Sequence, residues 1–152
     1  MRGCALIWMP TSIKTRRRVS ERARGLLDTS VVVEIDVIEE GVLPRECSIA
    51  AITLAELSAG LHAVTDSAQR AARQVILQYV ESTFHSVPFD SDAARAYGRV
   101  YAAVLAAGRK PRGGRAVDFL IAATALSRGL PLFTRNPADF ATLAELTEVV
   151  GV

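Results

Sequence analysis

From Gly25 onward, short apolar runs alternate with longer stretches of helical period. Leu26–Leu27 runs into Asp28, and Ser48–Ile52, His85–Phe89, Leu130–Thr134 and Thr147–Val150 are the further strand candidates. Between them lie helical patterns at Val31–Glu40, Leu54–His62, Ser67–Ser82, Ser91–Ala107 and Val117–Ser127. Alanine-rich composition supports the last two, because alanine loses no side-chain entropy in a helix. The run Val31–Val33 is ambiguous, since three β-branched residues also suit an extension of the first strand. Gly41–Pro44, Gly108–Gly114 and Pro137 punctuate the pattern. Short strands alternating with helices predict βαβ units, and therefore an α/β fold with a mostly parallel sheet. No internal repeat interrupts it.

Length changes this picture little, because 152 residues suit one domain and half of them are apolar. Charge changes it more. Residues 1–25 carry seven Lys/Arg (Arg2, Lys14, Arg16, Arg17, Arg18, Arg22, Arg24) against one acid, Glu21, whereas the remainder carries eleven against fifteen acids. The expectation is a basic extension over residues 1–24 and a folded domain over 25–152. The extension has no hydrophobic period, so it reads as disordered or as the product of an upstream start, although a basic arm also holds phosphate backbones. The apolar stretch Gly3–Met9 precedes its basic residues, which is the wrong order for a secretory signal. No apolar run approaches the roughly 18 residues of a membrane span. Cys4 and Cys47 have no metal-site spacing and read as two reduced thiols. These features predict a cytoplasmic protein with no membrane role.

The acidic residues each have an ordinary local explanation. Asp28, in LLDTS, ends the first strand and suits a helix N-cap. Thr53 and Glu56 have the spacing of a capping box. Asp118 opens an apolar helix, where the helix dipole stabilises an acid. Asn136, Pro137 and Asp139, in TRNPADF, form an ordinary helix start. Jointly they mean more, because every one falls where a strand ends or a helix begins. In a parallel sheet those positions converge on one edge, the edge where ligands bind. Carboxylates gathered there repel unless a hard cation compensates, and Mg²⁺ takes carboxylates, waters and substrate phosphates. Only His62 and His85 offer imidazoles, in unrelated contexts, which argues against zinc. The chain has no GxxxxGK[ST], GxGxxG or GxSxG motif. A receiver-like phosphate-transfer protein would want an acid pair on the first strand and a Lys after a late one, but Arg135 follows Thr134.

LLDTS, TLAELSAG, DFLIAATALSRGLPLFTRN and NPADF, in that order from Gly25 to Val152, resemble PIN-domain ribonucleases, and among them the VapC-type toxins of bacterial toxin–antitoxin pairs. The resemblance implies a PIN-like three-layer α/β/α sandwich around a mostly parallel sheet of about five strands. It assigns Asp28, Glu56 and Asp118 as site acids, with Asp28 and Asp118 the direct ligands of Mg²⁺ or Mn²⁺ and Glu56 placing or deprotonating a water, or ligating through it. Asn136 takes the fourth position, Asp139 is the acid beside it, and Thr134 supports the site by hydrogen bonding. Asn136 supplies no charge, which weighs against a fully occupied second metal site. The implied reaction is hydrolysis of an RNA phosphodiester by a water in line with the leaving oxygen. The loop GRKPRGGR offers Arg109, Lys110, Arg112 and Arg115 to the RNA phosphates. The implied partners are a second copy of the chain and a cognate VapB-like antitoxin. Such an inhibitor would place an Arg among the acids and lay an apolar segment along a groove that Leu54, Leu57 and Leu61 are spaced to line, although core packing is the expected use of most of these leucines. A non-catalytic RNA- or protein-binding module of the same fold is the alternative.

Overall fold

The computed structural model describes residues 22–39 and 41–152. Five strands occupy Arg24–Leu27 (β1), Glu46–Ala50 (β2), His85–Val87 (β3), Leu132–Thr134 (β4) and Val149–Gly151 (β5). Five α-helices connect them: Thr29–Val33 (α1), Ala51–Gly60 (α2), Ser67–Thr83 (α3), Ser91–Ala106 (α4) and Gly114–Ser127 (α5). Two 3-10 segments, Ile35–Val37 and Pro137–Leu143, complete the described elements. All strand pairs are parallel, in the order β3-β2-β1-β4-β5.

Successive side chains on a strand point to opposite faces, and here both faces are covered. Leu26, Ala50, Val87 and Leu132 join the core under α4 and α5. Leu27, Ile49, Phe133 and Val150 join a second core with Val31 and Val32 of α1 and Val80 of α3. A strand buried on both faces is continuously apolar rather than alternating, which is why Leu26–Leu27 and Leu132–Phe133 read as apolar pairs. The chain moves outward from β1 to β3, then returns across α4 and α5 to place β4 on the other side of β1. Right-handed crossovers in opposite directions put their helices on opposite faces. The reversal leaves a crevice between the carboxyl ends of β1 and β4.

Several predicted boundaries shift. The second strand is Glu46–Ala50 and α2 starts at once at Ala51, so Ile52 is helical rather than the end of a strand. The helix expected over Val31–Glu40 is one short α-helix ending at Val33, followed by a 3-10 turn. Val31–Val33 therefore does not extend β1. The boundary expected at residue 24 also moves, because Arg24 opens β1 and Arg22 forms an ion pair with Glu148. Arg2, Lys14, Arg16, Arg17, Arg18 and Cys4 lie outside the described residues. Cys47 is a free thiol, half-buried, whose pKa burial raises. Gly25 is required by packing: a Cβ there would lie 2.4 Å from Phe133 Cε2. Among the described residues, no helix is long and apolar enough to cross a membrane.

Candidate active site

Asp28 follows the last residue of β1, at the crevice. It occupies the N-cap position of α1, yet its side chain makes no capping bond, so the capping explanation fails. The carboxylate is instead turned into the crevice and is 5% exposed. Its Oδ2 accepts from Ser30 Oγ at 2.7 Å and from Thr134 Oγ1, at the end of β4, at 2.8 Å. Each of these hydroxyls accepts a backbone N–H, from Arg135 and Asn136 respectively, both at 3.1 Å. A hydroxyl that accepts an amide still has its proton to give, and both give it to the same carboxylate oxygen. That leaves Oδ1 without a hydrogen bond from the described residues and free to meet a ligand.

Glu56 lies on the second turn of α2. Its predicted partner in a capping box is overturned: the N-cap is Ala50, and Thr53 sits inside the helix, fully buried. Glu56 Oε2 accepts instead from Thr29 Oγ1 at 2.5 Å, across from α1. Asp118 is the fifth residue of α5, so it is past the first turn and the dipole explanation also weakens. The helix starts earlier than its apolar pattern because Gly113, at φ 58°, supplies the bend before it. The Asp118 carboxyl is pushed up to about 6, first by partial burial and then by the charges of Asp28, Glu56 and Asp139, while Arg115 pulls it back down. Three acids from three other parts of the chain thus act on Asp118 at this edge.

Asp139 lies in the 3-10 segment after β4, with Arg115 Nη2 3.7 Å from its Oδ1. Asn136 joins through its backbone amide on Thr134; its side chain is exposed and makes no capping bond. Arg109, Lys110 and Arg112 are exposed on the loop between α4 and α5, and Arg115 is the second residue of α5.

A family model described as the PIN domain matches residues 25–146. The chain belongs to the PIN-domain family. Ribonuclease VapC5 of Mycobacterium tuberculosis is 36% identical to it over 135 residues, which span 86% of this chain and 96% of that protein. Ribonuclease VapC of Rickettsia bellii is 33% identical, over 84% of this chain and 95% of that protein. In three dimensions the PIN domain is similar to the crystal structure of VapBC-5, a member of the VapBC family of toxin–antitoxin systems from M. tuberculosis. The TM-score is 0.75 at 36% identity, over 86% of this chain and 99% of that one.

The donor set of this PIN domain suits a hard cation. Among the described residues, no group of three His, Cys, Asp or Glu side chains is arranged to cage a metal. Mg²⁺ does not need such a cage, since it binds through one or two carboxylates and keeps waters or phosphates as its other ligands. An oxygen of Asp28 left free by its hydroxyl partners, with the half-buried Asp118 near enough to feel its charge, suits that requirement. Sequence reasoning missed Thr29 and Ser30 as members of the site. Both belong to LLDTS, but their partners, Glu56 and Thr134, are 27 and 104 positions away.

Proposed function

We infer that this PIN domain is a divalent-metal-dependent ribonuclease acting as the toxin of a toxin–antitoxin pair. The observation that carries the reading is the carboxylate cluster at the β1/β4 crevice, with Asp118 raised to about 6 by partial burial and by its acidic neighbours. Like charges gathered at a ligand-binding edge mark a place where a cation belongs. Asp28 and Asp118 would hold Mg²⁺ or Mn²⁺. When bound, the cation offsets the charge that develops on the phosphate oxygens as the P–O bond breaks. Glu56 orients the attacking water and takes its proton. Thr134 and Ser30 keep Asp28 in one orientation. Asp139, and Asn136 beside it, border the site, and Asp139 holds Arg115 where a flanking phosphate can meet it. Arg109, Lys110 and Arg112 follow the strand further out, positioning it without reading its sequence.

The names of the relatives support the reaction, and the toxin–antitoxin structure supports the partner. An antitoxin has a suitable seat. A cavity of about 360 Å³, lined by Val33, Leu57 and Ile76 among others, opens directly beside Glu56. A second, of about 230 Å³, shares Val33 and Ile76 and adds Val75 and Tyr79. An amphipathic helix laid along this groove buries its apolar face and brings an arginine to the acids. Leu54 and Leu57 both pack against the core, Leu57 also lines the cavity, and Leu61 does not border it. The proposal includes a homodimer, for which the exposed Tyr101 and Leu105 of α4 are available, and a cytoplasmic location. The test is cleavage of RNA by the purified protein in Mg²⁺ or Mn²⁺, with and without chelator. A companion test is copurification with, and inhibition by, the product of the adjacent small reading frame. Full activity in excess chelator would rule out the metal, and a neighbour that neither binds nor inhibits would rule out the toxin role.

A further inference from the structure

We propose that Thr29 is a positioning residue, whose hydroxyl clamps one oxygen of Glu56 and so aims the other into the acid cluster. The proposal rests on the ribonuclease reading above. The contact from Thr29 Oγ1 to Glu56 Oε2, at 2.5 Å, is at the short end for a hydroxyl on an ionised carboxylate. A hydroxyl has one proton, and this contact claims it. Thr53 Oγ1, at 3.3 Å, is the other acceptor within reach of that proton, and the much shorter contact to the carboxylate outcompetes it. Thr53 is fully buried, and a hydroxyl in such a place is unfavourable without a polar partner. Glutamate has three side-chain torsions, and unheld at a half-exposed site it would spread over several rotamers. The Thr29 bond selects one of them. It also ties α1, which follows β1, to α2, which follows β2. Ser30, the next residue, does the corresponding service for Asp28. One dipeptide at the start of α1 thus orients two site acids that lie on different elements.

The test compares Thr29→Val, which keeps the shape and loses the hydroxyl, with Thr29→Ser, which keeps the hydroxyl. Thr29→Val should lower kcat on the order of 10-fold to 100-fold, the cost of a misplaced catalytic group, with KM little changed. Thr29→Ser should restore most of the rate. In a Glu56→Ala background, Thr29→Val should cause no further loss, because a residue acting through another is silent once that other is gone. The same four proteins of this cycle, unfolded by urea in chelator, give a readout independent of activity. A non-additive shift in stability demonstrates the clamp in the metal-free protein. Wild-type kcat in Thr29→Val, multiplying losses with Glu56→Ala, or strictly additive stabilities would each overturn the proposal. A wild-type protein that cuts no RNA would defeat the ribonuclease reading alone, since the unfolding cycle still decides whether the clamp exists.

Discussion

Replacing Asp118 by Asn keeps the shape of the side chain and removes its charge. The substitution should stabilise the metal-free protein while it abolishes cleavage. The Asp118 carboxyl is displaced from 3.8 to about 6 by partial burial and by Asp28, Glu56 and Asp139. At about 1.4 kcal/mol per pKa unit, such a displacement corresponds to ~3 kcal/mol for a group out of contact with water. Asp118 is only half-buried, and solvent screening reduces the contribution to about 1 kcal/mol. A carboxyl whose folded pKa lies above its unfolded value binds more protons folded than unfolded between those two values. Wild-type stability therefore falls as pH rises from 3.8 to about 6 and is level above that window. In chelator at neutral pH, Asp118→Asn should melt about 2–4 °C above the wild type, and the difference should vanish below pH 3.8. Saturating Mn²⁺ should reverse the order, since a cation at about 100 times its Kd adds ~2.7 kcal/mol to a protein that binds it. Scanning calorimetry at several pH values, with chelator and with Mn²⁺, reads all three. A variant less stable than the wild type in chelator, or a difference that ignores pH, would refute the electrostatic reasoning.

Other substitutions probe separate parts of the account. Asn136→Asp adds a charge at the rim of the cluster and should tighten Mn²⁺ binding in a calorimetric titration; unchanged affinity would place Asn136 outside the site. Gly25→Ala puts a Cβ 2.4 Å from the Phe133 ring and should cost about 1–3 kcal/mol in a urea titration, as overpacking does. Deleting residues 1–21 should leave the circular dichroism spectrum and basal cleavage unchanged, since β1 begins after them. A collapse of the truncated protein would show that the segment packs, whereas loss of RNA affinity at low salt would assign it an electrostatic role.

The α/β alternation was legible because its strands are buried on both faces and appear as short apolar pairs. Strand ends were not, because Ala51 and Ile52 are as apolar as the strand before them, and only backbone hydrogen bonding separates β2 from α2. The capping box at Thr53 and Glu56 was a coincidence of spacing: the helix had begun two residues earlier, and both side chains serve a contact with Thr29. Asp28, Glu56 and Asp118 were readable together because each sits near the end of a strand or the start of a helix. Of the hydroxyls that orient them, only Thr134 was expected, and that from the family resemblance. Thr29 and Thr134 gain their roles from acids far along the chain, and although Ser30 is only two residues from Asp28, local sequence says nothing of which hydroxyl faces which acid.

The central claim is that Asp28 presents a free oxygen to a divalent cation and that RNA cleavage depends on it. Single-turnover cleavage of RNA by the wild type and by Asp28→Asn, each at saturating Mn²⁺ and in chelator, tests this most directly. The account predicts cleavage only by the wild type with metal, with Asp28→Asn folded and inert in both conditions. Cleavage by folded Asp28→Asn at the wild-type rate would contradict it.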